Sequence, residues 1–145
     1  MFGAEDSLVS TLGLLFGIAS TGQFSKAQIF ITGIIAVSVE ALSMGAGSFL
    51  SESSTQEVDS KVKFSPFADG LIMFSSYFLF GFVPLTPYLL FEVNTAKYVS
   101  VIASLIALFV LGYLPAKNTR SGLKMALVAG FAASMGFAVA YIFKV

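Results

Sequence analysis

The chain contains no cysteine and no histidine. Their absence excludes disulfides, thiolate zinc sites, haem attachment, iron–sulfur ligation and imidazole chemistry, and with them Ser-His-Asp and Cys-His catalysis. Charge is scarce too: 11% of the 145 residues are Asp, Glu, Lys or Arg, against about 25% in an ordinary soluble domain. Eight acids balance eight bases, and a net charge of zero excludes a strongly basic nucleic-acid surface. No P-loop, GxGxxG, HExxH or repeat of solenoid length occurs. Little is left for acid/base catalysis, and the chain does not read as an enzyme with a prosthetic group.

What the chain has in quantity is apolar surface. Hydrophobic residues make up 57% of it and the mean hydropathy is +0.90, a composition that belongs to an integral membrane protein. Uncharged runs cover 7–25, 70–91, 98–116 and 125–143, and 27–51 is interrupted only by Glu40. Each is near the roughly 20 residues that a spanning helix needs. The expected fold is all-α: a membrane five-helix bundle in one transmembrane domain, 1–145, with spans near 7–23, 27–51, 66–91, 96–115 and 121–143. The opening Met1-Phe2-Gly3-Ala4-Glu5-Asp6 is acidic. The apolar run behind it exceeds the about 7–15 residues of a signal-peptide core, so the first span reads as retained. Lys61, Lys63, Lys117, Arg120 and Lys124 fall on one side of such a bundle, and Lys26, Lys97 and Lys144 on the other. That bias predicts a cytosolic N-terminus and a C-terminus on the opposite side.

Glu40 and Met44 stand four residues apart inside the second run, so on a helix they share a face. A carboxylate at bilayer depth costs about 2.5 kcal/mol or more and marks a functional site by default. A lone Met is ordinarily core filler. A Met one turn from a buried acid, on a face continued by Ala36, Ser43, Gly47 and Ser51, is a candidate cation ligand. With thiolate and imidazole missing, carboxylate, hydroxyl, carbonyl and thioether groups are the ligands that remain. Oxygen-rich ligation suits Mn²⁺ and Fe²⁺, and a thioether tilts the preference toward Fe²⁺ over Mg²⁺ or Ca²⁺.

Other features are weaker. Asp69 and Met73 repeat the acid-to-Met spacing at the start of the third span, with Ser76 on the same face, and join Ser43 as secondary candidates. Asp6, Ser10, Gly13, Gly17 and Thr21 form one stripe on the first span. Its GxxxG, Gly13 to Gly17, permits close helix approach, either as plain packing or along a pore or dimer axis. Gly45 and Gly47 are expected to serve packing on the second span. Pro66 suits a first helical turn, and Pro84 and Pro87 should end or kink the third span. The polar connection 51–65 carries Glu52, Glu57 and Asp59. It reads as a solvated helix end or as a cytosolic acidic loop that attracts cations.

Asp6-Ser7-Leu8-Val9-Ser10-Thr11-Leu12-Gly13-Leu14-Leu15-Phe16-Gly17 followed by Ala41-Leu42-Ser43-Met44-Gly45-Ala46-Gly47 resembles the vacuolar iron transporter family. So does Gly81-Phe82-Val83-Pro84-Leu85-Thr86-Pro87-Tyr88. The resemblance implies a homodimer packed through spans one and two that carries Fe²⁺, often also Mn²⁺, against protons. Its path would run between the protomers. By motif, Asp6 becomes the entrance or translocation carboxylate, Met44 the thioether ligand and Glu40 the buried second-span acid. Three features depart from the family pattern. The usual Asp-Gly is Asp6-Ser7 here. The family's second-span acid stands about one turn earlier, at Ala36. The long acidic helical domain that many members insert after span two is replaced by the short 51–65 connection.

These observations together lead to one expectation: export of divalent metal from the cytosol, across a prokaryotic plasma membrane or a vacuole-like organelle membrane, with protons as coupling ion. Two copies of Asp6, Glu40 and Met44 would surround a two-fold axis, and metal and proton would compete for the same carboxylates. A partner chain would supply the missing metal-collecting domain. Two other expectations remain open: a membrane scaffold or accessory subunit whose stripes are only helix interfaces, and a proton-coupled carrier of another small solute.

Overall fold

In hydrocarbon, every backbone N–H and C=O has to be satisfied within the protein, so an isolated apolar segment can cross only as a helix. The structure, a computed structural model, describes residues 2–58 and 65–143. Within them lie α1 (Phe2–Thr21), α2 (Lys26–Val58), α3 (Pro66–Leu85), the single turn α4 (Pro87–Leu90), α5 (Val93–Ala116) and α6 (Thr119–Ile142). All but α4 are long and apolar enough to cross a membrane, making the protein an all-α bundle of five candidate spans.

The boundaries follow from local chemistry. Gly22 ends α1 with φ +70°, a left-handed conformation that glycine adopts without strain. Ser25 and Gln28 then cap α2 reciprocally: Gln28 N donates to Ser25 Oγ (3.3 Å), and Ser25 N donates to Gln28 Oε1 (2.9 Å). Ser65 caps α3, with Pro66 in its first turn, where a missing N–H costs nothing. Pro84 and Pro87 bracket the break between α3 and α4. Lys117, at φ 45°, turns the chain into α6, whose Arg120 N donates to Asn118 Oδ1 (2.9 Å).

Two helices run further than hydropathy alone implies. α1 starts at Phe2, so Glu5 and Asp6 lie within its first turns, where acids are favoured by the helix dipole. α2 is 33 residues long, about 50 Å at 1.5 Å per residue, and exceeds the roughly 30 Å hydrocarbon core. Glu52 and Glu57 therefore belong to a helix, not to a loop. Asp59, Lys61, Lys63 and Lys144 lie outside the described residues.

α1 is the central element. The α2–α3 pair packs along one part of it and the α5–α6 pair along another. One apolar cluster joins Leu8 and Leu12 of α1 to Leu108 of α5 and to Ala129 and Ala133 of α6. A second, nearer the other end, gathers Leu15, Ala19, Ile29, Leu85, Tyr88 and Ala96. The GxxxG of α1 is spent on α6: a Cβ on Gly17 would stand 2.9 Å from Gly136 O, and one on Gly136 only 2.1 Å from Gly13 O. Gly45 and Gly70 bring α2 and α3 together in the same way, whereas a Cβ on Gly47 would meet nothing within 4 Å.

Candidate functional site

Polar side chains in this apolar bundle gather where α1, α2 and α3 meet. α1 and α2 run antiparallel, and so do α2 and α3, so residues on the three helices fall into shared levels. At the deepest level, Ser10 of α1 donates through Oγ to Glu40 Oε2 of α2 (3.1 Å). Tyr77 of α3 donates its hydroxyl to the same carboxylate oxygen. The two hydroxyls also face each other at 2.5 Å, and either can be the donor. Ser7, one turn before Ser10 on the same helix face, donates to the backbone carbonyl of Tyr77 (2.6 Å). Gly81 lets this seam close: a Cβ there would lie 2.6 Å from Val37 Cγ1 and 2.9 Å from Ser7 Oγ.

Protons can be counted in the triangle of Ser10, Glu40 and Tyr77. It has three oxygen–oxygen contacts, and the two hydroxyls bring one proton each. An ionised Glu40 brings none, so one contact then lacks a hydrogen. All three close as hydrogen bonds only when the carboxyl is protonated.

One turn from Ser10 toward the start of α1 is Asp6, and one turn from Glu40 toward the end of α2 is Met44, so the antiparallel register puts the two on one level, next to that of Glu40. Asp6 is half-buried and interacts electrostatically with Glu40. Met44 is half-buried, whereas Ser43 is exposed. One level further, Gly3, Ser48, Glu52, Asp69, Ile72, Met73 and Ser76 line an open cleft of about 350 Å³. Asp69 and Met73 thus stand with Glu52 at the mouth of the seam, apart from the Glu40 triangle. Glu57 is exposed on the last turns of α2. Among the described residues, no group of three or more Asp or Glu side chains comes together to hold a metal ion.

Two participants escape the sequence patterns: Tyr77 and Ser7. Tyr77 is 1% exposed and lies four residues beyond Met73 and eight beyond Asp69, on the same helical face. Its signal is a phenol in an apolar helix, which needs a hydrogen-bond partner when buried.

The family model for the VIT family matches this chain over residues 1–63 and 55–141. The two matched stretches overlap at residues 55–63 and together span 1–141. No curated protein is similar enough to match.

Proposed function

The chain belongs to the VIT family, the vacuolar iron transporters, a family of membrane metal-ion transporters rather than enzymes, and from that premise we propose that it carries Fe²⁺, with Mn²⁺ as a second cargo, out of the cytosol in exchange for protons. The observation that carries the proposal is the Glu40 carboxyl, set among apolar helices and bonded by two hydroxyls, with the like-charged Asp6 close enough to repel it. A scaffold has little use for two interacting acids in that position, since each costs free energy in hydrocarbon.

The exchange works through shared occupancy. With Glu40 protonated, the triangle with Ser10 and Tyr77 is complete. An incoming cation attracted by Asp6 favours the ionised carboxylate, and the proton leaves as metal and carboxylate pair. Asp6 and Glu40 supply hard oxygen ligands, and Met44, on the level of Asp6, a soft one. The mouth lined by Glu52, Asp69 and Met73 is the cytosolic approach if the N-terminal end faces the cytosol. A second protomer brings a second set of the same donors, so the transporting unit is a homodimer.

Uptake into proteoliposomes with an imposed pH gradient tests this directly. The parent protein should accumulate Fe²⁺ or Mn²⁺ only when protons can move the other way. Glu40→Gln and Asp6→Asn should each lower uptake by about tenfold or more, a loss in line with about 1.4 kcal/mol or more of binding. Met44→Ala should reduce Fe²⁺ uptake more than Mn²⁺ uptake, because the thioether favours the softer ion. Uptake by Glu40→Gln and Met44→Ala at the parent rate would remove both residues from the path. A purified protein with no affinity for either ion would return the scaffold or accessory role. Proton-linked uptake of something other than metal would identify a different cargo.

A further inference from the structure

We infer that Tyr77 is the positioning residue of this site: its hydroxyl holds Glu40 by Oε2 against α1 and leaves Oε1 as the oxygen that a cation meets. The inference rests on the transport reading above. It begins from where the described hydrogen bonds to Glu40 fall, since Ser10 and Tyr77 both bond Oε2. A carboxylate that ligates a metal is itself oriented by hydrogen bonds from groups that never touch the ion, and removing such a partner typically costs about 10–100-fold in metal affinity.

Of the two donors, Tyr77 is the better anchored. Its side chain is 1% exposed, so the ring cannot swing away without opening the bundle. Its backbone carbonyl is held by Ser7 Oγ at 2.6 Å. One turn on, Gly81 admits both Val37 and Ser7 to contact, so α3 is locked to α1 and α2 at this level. Ser10, by comparison, is only half-buried. The phenol thus arrives at Glu40 from a third helix, on a ring with few torsions, at a fixed depth.

Tyr77→Phe keeps the ring and removes only the hydroxyl. In proteoliposomes taking up Mn²⁺, it should raise KM by about tenfold or more while leaving the maximal rate near that of the parent. The Kd for Mn²⁺ of detergent-solubilised protein should rise by the same factor. Ser10→Ala should show a smaller rise. In a Glu40→Gln background, Tyr77→Phe should add nothing, because the group it positions is gone. A purely structural tyrosine would instead lower the maximal rate and act equally in both backgrounds. Parent-like KM and Kd in Tyr77→Phe, with Glu40→Gln impaired, would overturn the role of Tyr77 and leave metal transport standing. A parent protein with neither Mn²⁺ binding nor uptake would overturn both.

Discussion

Glu40 has a neighbour on α1 and another on α3, and its partners among the described residues are hydroxyls rather than a cation. An Arg or Lys partner would neutralise the carboxylate permanently. Hydroxyls stabilise it in either protonation state, which suits a group that must give up one occupant for another. The substitution Glu40→Gln separates this role from structure. Glutamine keeps the size and an acceptor oxygen, and interhelical hydrogen bonds in membranes are worth only about 0.6 kcal/mol on average. Thermal unfolding in detergent should therefore stay within a few degrees of the parent. Saturating Mn²⁺ should raise the melting temperature of the parent, since a ligand that binds only the folded state stabilises it, and should leave Glu40→Gln unmoved. An equal rise in both would show that the ion binds elsewhere. Glu40 itself was visible in the sequence, because an acid in an apolar run is conspicuous. Tyr77 was not, since its partners are 37 and 67 residues away along the chain and nothing local distinguishes it from a packing aromatic.

At the level of helices, hydropathy located the five spans but not their ends. Apolar runs stop where charge begins, yet a helix does not. α1 takes Glu5 and Asp6 into its first turns, and α2 continues through a Ser-rich polar stretch. There Ser53 and Thr55 return their hydroxyls to the carbonyls of Phe49 and Ser51. The glycines divide on the same grounds. GxxxG in α1 signalled close approach without naming the partner, and the partner is α6 of the same chain. Gly136→Ala would place a methyl 2.1 Å from Gly13 O, a clash with backbone that no rotamer relieves. It is expected to destabilise the bundle by about 1–3 kcal/mol, the usual cost of overpacking. Gly47→Ala, with nothing within 4 Å, should be neutral or stabilising, since alanine is the better helix former by about 1 kcal/mol. Melting temperatures of the two variants in detergent check the pair. Equal losses would mean that Gly47 is covered in the assembled protein.

The whole molecule raises the question of how many chains make one site. Divalent iron and manganese favour about six ligands, most of them oxygen. Among the described residues, one protomer gathers no group of three acids. Its seam offers Asp6 and Glu40 as carboxylates, with Met44 one helical turn from Glu40. Doubling that set across a two-fold axis makes the coordination ample, and this is the physical case for a shared site. It gives a different result from two independent seams when one protomer is disabled. Heterodimers of parent and Glu40→Gln chains, purified through two different tags, would retain about half the parent Mn²⁺ uptake if each protomer carries ions alone. If the ions pass between the protomers, each heterodimer lacks one of two required carboxylates, and uptake should fall close to that of the double Glu40→Gln dimer. The second outcome is expected. Half activity would instead place the complete route in the α1–α2–α3 seam of a single chain, with Tyr77 and Ser10 as its inner wall.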